Sequence, residues 1–229
     1  MSSFNAKQCY LVVYNAILCI GWSAILAGIA VEFAAQGGGN LGQDSLLELL
    51  YLRVEKLLKI CQTAAVLEVI HCIVKIVPSS PVLTGFQVAS RLFVLWMVTD
   101  LVPLTQKAPG VILFLLCWSI TEVIRYAYYV LNIFGQVPYA LLWCRYTFFF
   151  LLYPFGVTGE LITIMKALPV VKDQGLLSVF LPNAVNFSFS YFHFLIFVML
   201  CYIPIFPQLY FHMIAQRKKF IGSVAKKVE

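Results

Sequence analysis

Apolar stretches long enough to cross a lipid bilayer follow one another along the whole chain, separated by short polar, proline- or glycine-bearing breaks. A helix that spans the hydrocarbon core needs about 20 mostly apolar residues. Six segments meet that requirement: Cys9 to Phe33, Leu49 to Val77, Val82 to Leu104, Val111 to Phe134, Tyr139 to Leu168 and Asn186 to Ile214. The breaks carry residues that end helices. Gly37, Gly38 and Gly39 lie in the first loop, and Pro78-Ser79-Ser80-Pro81 makes a tight turn. Lys107, Pro109 and Gly110 form the next break, Gly135 and Pro138 the one after, and Lys172, Asp173, Gly175 and Pro182 the last. The pattern predicts an all-α polytopic membrane protein with six transmembrane helices in one bundle. The first segment is longer than the apolar region of a cleaved signal peptide and has only Lys7 ahead of it, so it is expected to be retained.

Composition removes the alternatives. Of 229 residues, 62% are hydrophobic and 11% charged, whereas a soluble domain carries roughly 25% charged residues. The same figures exclude a disordered chain, a coiled coil, collagen and a disulfide-rich secreted module. Seven cysteines, at 9, 19, 61, 72, 117, 144 and 201, lie scattered in apolar stretches without Cys-x-x-Cys or metal-type spacing. They read as small buried hydrophobes, and no metal site is expected.

Charge sets the expected orientation. The net charge is +6, and the thirteen residues Arg217 to Glu229 hold five basic residues against one acid. Beside an apolar helix, such a run marks the cytosolic face rather than a nucleic-acid contact, and no nucleic-acid partner is expected. Six crossings then put both termini in the cytosol. The chain divides into a membrane domain, residues 1–216, and a basic cytosolic tail, residues 217–229. The ending Lys226-Lys227-Val228-Glu229 matches the dilysine address that coat-protein retrieval machinery reads on endoplasmic reticulum proteins.

Ionisable groups inside spans cost about 2.5–3.5 kcal/mol each on insertion scales, so they face one another or a cavity. Lys59, Glu68, His71, Arg91, Asp100, Glu122, Arg125, Arg145 and Glu160 all fall inside the six segments, which points to a polar chamber. Glu122, Arg125, Tyr126 and Tyr129 share one helical face at i, i+3, i+4 and i+7. Tyr146, Tyr153 and Glu160 repeat at seven and form a stripe on the fifth segment, with Gly156 between the last two as a notch. A phenol and a carboxyl so placed can serve as an acid–base pair. The same spacing is also met if Tyr153 packs as an aromatic and Glu160 pairs with Arg125.

At these residues the sequence resembles the 3-hydroxyacyl-CoA dehydratase family, the protein tyrosine phosphatase-like membrane enzymes of very-long-chain fatty acid elongation. The resemblance covers nearly the whole chain. It runs through Gln62–Glu68, Ser90-Arg91-Leu92-Phe93, Trp118–Glu122, Ile124-Arg125-Tyr126, Arg145-Tyr146, Leu152-Tyr153-Pro154 and Pro182-Asn183 with Asn186–Phe189. The family's catalytic Tyr and Glu, in a Tyr-Pro-x-Gly-x-x-x-Glu segment, carry over to Tyr153 and Glu160. The resemblance implies a lyase that removes water from a (3R)-3-hydroxyacyl-CoA to give a trans-2-enoyl-CoA, the third step of elongation. It also implies residence in the endoplasmic reticulum membrane among elongase, 3-ketoacyl-CoA reductase and trans-2-enoyl-CoA reductase subunits. No cofactor is expected beyond the coenzyme A of the substrate. Glu122, Arg125, Tyr126, Arg145, Tyr146, Gly156 and Asn186 are the residues expected to tune the pair or bind substrate. Tyr153 as base at C2 and Glu160 as proton donor is the preferred assignment, and the reverse satisfies the sequence as well.

Two other classes compete. His71-Cys72 imitates the phosphatase signature, in which Arg follows the Cys after five intervening residues; Pro78 stands at that position, so the bidentate phosphate fork is missing. An inactive phosphatase-like scaffold is the surviving form of that reading. A transporter is suggested by the intramembrane charges but lacks the internal repeat that many transporters show.

Overall fold

The structure, a computed structural model, describes residues 5–36, 42–184 and 186–228, and side chains within these ranges apart from residue 219 and residues 221–228. The glycine run Gly37–Gly39, the side chains of Lys226 and Lys227, and Glu229 lie outside what is described. The described residues form eight α-helices in chain order: α1 (Ala6–Gln36), α2 (Gln43–Ala64), α3 (Val66–Ile73), α4 (Pro81–Leu92), α5 (Pro109–Ile133), α6 (Tyr139–Thr147), α7 (Phe149–Gln174) and α8 (Tyr191–Val228). A wider π-helical stretch, Phe93–Asp100, continues α4, and a 3₁₀ turn, Pro103–Lys107, leads into α5. Among the described residues the only β pairing is one antiparallel bridge, Val179 with Phe189, in the loop between α7 and α8.

The local reasons are conventional. Ser80 caps α4 by accepting from the Leu83 amide, with Pro81 as the first helical residue. Gly175, left-handed at φ +62°, ends α7. On α1 the buried residues Asn15, Leu18, Trp22, Ile25 and Ile29 recur at alternating steps of three and four, the stripe that one helix presents to its neighbours.

Helix α5 is the centre of the bundle, packed against α1, α2 and α7. Its crossing with α7 is set by glycine. A methyl added at Gly159 would sit 2.7 Å from both the Gly110 carbonyl oxygen and the Phe114 amide nitrogen, so the two backbones touch. A methyl at Gly156 would stand 3.4 Å from the Cys117 side chain, an ordinary contact. We therefore expect Gly159→Ala to lower stability by about 3 kcal/mol through overpacking. Gly156→Ala should be nearly neutral, because helix propensity gained offsets the mild crowding. Thermal unfolding of the purified proteins in detergent separates the two, and equal midpoints would refute this account of the crossing.

Among the described residues, five helices are long and apolar enough to cross a membrane: Ala6–Gln36, Pro81–Asp100, Pro109–Ile133, Phe149–Gln174 and Tyr191–Lys218. The chain is thus an all-α, multi-pass membrane protein. The sixth expected span, Leu49 to Val77, differs. It forms α2 and α3 with a break at Ala65, and α2 carries Asp44, Glu48, Arg53, Glu55, Lys56 and Lys59. Several of these are paired: Lys59 with Glu55 at 2.7 Å and with Asp100, Lys107 with Glu48 at 3.3 Å. Tyr51 and Leu58 on the same helix are fully buried. Apolar count alone could not separate a lipid-facing helix from one that also neutralises charge inside the bundle.

The expected fifth span, Tyr139 to Leu168, is also divided. Helix α6 stops at Thr147, and the Phe148 carbonyl accepts from both Leu151 and Leu152 as α7 begins. Helix α7 then runs unbroken through Pro154 and Pro169 to Gln174. Helix α8 continues past residue 217 to Val228. The first turns of α1 and the part of α8 around Arg217 lie at one end of the bundle. Tyr14 of α1 meets Tyr126 near the end of α5, and Arg217 of α8 lies over Phe150 at the start of α7, while Arg145 of α6 lies over Tyr128 of α5.

Candidate active site

Three helices converge on one carboxyl. Glu160, on the middle of α7, is 7% exposed. Its Oε1 accepts from Trp118 Nε1 of α5 at 2.9 Å, and its Oε2 accepts from the Tyr202 hydroxyl of α8 at 2.7 Å. Each oxygen therefore has one donor, as a buried carboxyl requires. Tyr153, two turns earlier on α7, stacks on Phe206 of α8 with ring centres 4.9 Å apart and planes 3° from parallel. Tyr210, one turn further along α8, lies 6.4 Å from the Tyr153 ring and extends the stack. Tyr153 and Glu160 thus both belong to the α7–α8 seam.

A second, ionic cluster lies toward the chain termini. Arg125 forms a two-pronged pair with Glu68, both contacts at 2.9 Å, and its Nε donates to Glu122 at 2.7 Å. Arg91 binds the other oxygen of Glu122, and Tyr126 donates to Glu68. The two acids and two guanidinium groups balance, and Glu122 is 1% exposed. Arg91 also lies over the Trp118 ring at 5.4 Å. One continuous path therefore runs from Glu68 through Arg125, Glu122, Arg91 and Trp118 to Glu160. Arg145 is set apart from it, over Tyr128 at 4.3 Å and Tyr129 at 5.0 Å; Tyr129 in turn lies 6.0 Å from Arg125.

The model of the protein tyrosine phosphatase-like protein family, PTPLA, matches residues 62–223. The chain belongs to this family. The matched region holds both clusters. The chain is 50% identical over 213 residues to human very-long-chain (3R)-3-hydroxyacyl-CoA dehydratase 2, covering 93% of this chain and 81% of that one. It is 46% identical over 221 residues to very-long-chain (3R)-3-hydroxyacyl-CoA dehydratase hpo-8 of Caenorhabditis elegans, covering 96% and 98%. It is 38% identical over 218 residues to very-long-chain (3R)-3-hydroxyacyl-CoA dehydratase PASTICCINO 2 of Arabidopsis thaliana, covering 95% of each. No solved structure matches the chain.

The PTPLA fold sorts the expected residues. Tyr153 and Glu160 lie two turns apart along one seam, Tyr153 stacked on Phe206 and Glu160 held by Tyr202, and Glu122, Arg125 and Tyr126 belong to the neighbouring cluster. Four expectations are corrected. Glu160 does not pair with Arg125, because Arg125 is taken by Glu68 and Glu122. Tyr146 does not continue the stripe: it lies on α6, beyond the interruption at Phe148, and stacks on Phe220 at 4.8 Å. Gly156 is no open notch, since it is buried and seats α7 on Cys117 of α5. Asn186 is exposed in the loop after α7, at the end of that helix away from Tyr153, roughly 30 Å along it at 1.5 Å per residue.

Trp118 and Tyr202 are the partners that sequence reasoning missed as site residues. Trp118 lies one helical turn before Glu122, but nothing in its spacing points to Glu160. Tyr202 sits on another helix, 42 residues away, where no periodicity connects the two. The name of the family does not describe the surroundings of Cys72. That thiol is 7% exposed, and the amides that would have to cradle a phosphate are spent, with Ile76 and Val77 both donating to the His71 carbonyl. The His71 ring itself is held by the Tyr10 hydroxyl at 2.8 Å.

Proposed function

We propose that this chain is a very-long-chain (3R)-3-hydroxyacyl-CoA dehydratase, a hydro-lyase that forms trans-2-enoyl-CoA. The observation that carries the reading is the buried carboxyl of Glu160, tethered at both oxygens, on the same helical seam as the stacked phenol of Tyr153. Identity of 38–50% to relatives named for that activity supports it.

The chemistry asks for two proton transfers. The thioester carbonyl acidifies C2, a base removes one C2 proton, and an acid protonates the departing C3 hydroxyl. Tyr153 is the base and Glu160 the proton donor. The reaction is redox-neutral, so acid–base groups suffice, and no cofactor enters beyond the coenzyme A of the substrate. The ionic cluster of Glu68, Arg125, Glu122 and Arg91 supports Trp118, which supports Glu160. Arg145 near the end of α6 and Arg217 on α8, both half-buried, are basic and suit the phosphates of coenzyme A. Membrane lipid surrounds the acyl part.

The same reading places the protein in the endoplasmic reticulum membrane with both termini cytosolic. The basic tail supports that orientation, and its dilysine ending supports retrieval by coat proteins. Its neighbours would be an elongase, a 3-ketoacyl-CoA reductase that supplies the substrate and a trans-2-enoyl-CoA reductase that consumes the product.

The test uses the purified full chain in detergent with a long-chain (3R)-3-hydroxyacyl-CoA, following the trans-2-enoyl product by mass spectrometry. Turnover is expected, with Cys72→Ser within twofold of the parent because Cys72 lies outside the acid–base seam. No product above a heat-inactivated control, or loss of turnover in Cys72→Ser, would refute the proposal.

A further inference from the structure

The carboxyl of Glu160 is met by two chemically different donors, and the difference distinguishes its two oxygens. Helix α7 comes close to α5 at Gly159, where an added methyl would sit 2.7 Å from the Phe114 amide nitrogen. The next residue, Glu160, therefore arrives beside Trp118, one turn beyond Phe114 on α5. The indole is itself fixed. Its ring lies 4.5 Å from that of Phe114, Arg91 stands over it at 5.4 Å, and it is 3% exposed. Its N–H reaches Oε1 from the packed α5 side at 2.9 Å. Oε2 is met from α8, by the hydroxyl of the half-buried Tyr202 at 2.7 Å. Phe206, one turn further along α8, is the ring stacked on Tyr153. Oε2 thus belongs to the α7–α8 side of the carboxyl, the side that also holds Tyr153.

An indole N–H only donates, so Oε1 is an acceptor whether or not the carboxyl is protonated. The proton of a protonated Glu160 therefore sits on Oε2. A phenol can donate or accept, so Tyr202 tolerates a proton on Oε2 and donates to that oxygen once the proton has gone.

We propose that Trp118 and Tyr202 are positioning residues that act through Glu160: Trp118 fixes the carboxyl by Oε1, and Tyr202 makes Oε2 the oxygen that protonates the departing hydroxyl. The step balances. The C2–H electron pair forms the C2–C3 double bond, and the C3–O pair leaves with the oxygen. That oxygen takes the proton from Oε2 and departs as water. One proton enters the enzyme at C2 and one leaves at Oε2, and nothing is oxidised. Each oxygen of the carboxylate left behind then has its own donor. This inference rests on the dehydratase reading and deepens it.

A leaving group that needs no proton separates this role from a merely structural one. The purified full chain in detergent is given two thioesters of equal chain length. A (3R)-3-hydroxyacyl-CoA loses water, and a (3R)-3-chloroacyl-CoA loses chloride without help from an acid. Both yield the same trans-2-enoyl-CoA, measured by mass spectrometry above the uncatalysed rate. On the hydroxy thioester, Tyr202→Phe and Trp118→Phe should each lower kcat about 10²-fold, with KM within twofold of the parent. On the chloro thioester each should run within threefold of the parent. Equal losses on both thioesters, or Tyr202→Phe within twofold of the parent on the hydroxy thioester, would overturn the proposal. If Tyr202→Phe does not fold, the two rates of Trp118→Phe decide by the same criteria. An unaltered protein that dehydrates the hydroxy thioester but leaves the chloro thioester intact would also overturn it, because the acid would then not be a separable part of the reaction. No turnover of either thioester by the unaltered protein would instead sink the dehydratase reading, so the two failures are distinguishable.

Discussion

Glu160→Gln is expected to keep the bundle and lose the reaction, with kcat down about 10³-fold, within the range for removal of a positioned acid. The substitution preserves size and one acceptor, so Trp118 can still donate to the amide oxygen. It cannot supply a proton to the departing hydroxyl, and its NH₂ faces the Tyr202 hydroxyl, which must turn to accept. Tyr153→Phe should fall as far for the complementary reason: the ring that stacks on Phe206 is retained and the oxygen that takes the C2 proton is gone. In both variants KM should move little. The measurement is steady-state dehydration of a long-chain (3R)-3-hydroxyacyl-CoA by detergent-purified protein, with circular dichroism and size-exclusion profiles matching the parent. Turnover within fivefold of the parent in either variant would remove that residue from the mechanism.

Arg125→Leu should be the most destabilising change in the ionic cluster, lowering stability by about 3–5 kcal/mol, as breaking a buried pair typically does. The arithmetic of charge explains why. Glu68 and Glu122 are matched by Arg91 and Arg125, and deleting Arg125 strands one negative charge among groups that are 2% and 12% exposed at their side chains. The loss also weakens the tie between α3 and α5, because the two-pronged ion pair to Glu68 goes and the Tyr126 donation to Glu68 remains. Arg125→Lys should fall between the parent and Arg125→Leu, since a lysine keeps the charge but cannot form the paired fork. Thermal unfolding in detergent reads this directly. A midpoint for Arg125→Leu equal to that of the parent would show that the cluster contributes nothing to holding the bundle. Activity should drop as well, because Glu122, which holds Arg91 over Trp118, loses the brace that Arg125 gives its other oxygen.

Different parts of the molecule were legible to different depths. The lipid-facing helices were readable because apolar length is a one-dimensional property. The region from Leu49 to Val77 was not, because whether charges such as Lys59 are tolerable depends on Asp100, a partner 41 residues away. Spacing alone puts Tyr146 on the stripe, because a repeat of seven presumes one continuous helix. The interruption at Phe148 has no glycine or adjacent proline to announce it, and one break in phase removes a residue from a shared face. Gly156 looked like an opening because a missing side chain leaves space, yet the same absence lets two helices close on each other. Only the position of Cys117 decides between them.

The sequence by itself determined that this is a multi-pass helical membrane protein, where α1, the stretch Pro81–Asp100 and α5 begin and end to within a few residues, and that Tyr153 and Glu160 share one stretch of helix. All of these follow from composition and from 3.6 residues per turn, which act along the chain. Tertiary structure alone decided that Glu160 is held by Trp118 and Tyr202 rather than by Arg125, and that Arg125 is shared by two carboxylates. Those choices depend on which faces of α5, α7 and α8 meet. For α5 and α7 that meeting is set by close backbone contact at Gly110 and Gly159, a distance in space that no spacing in the sequence encodes.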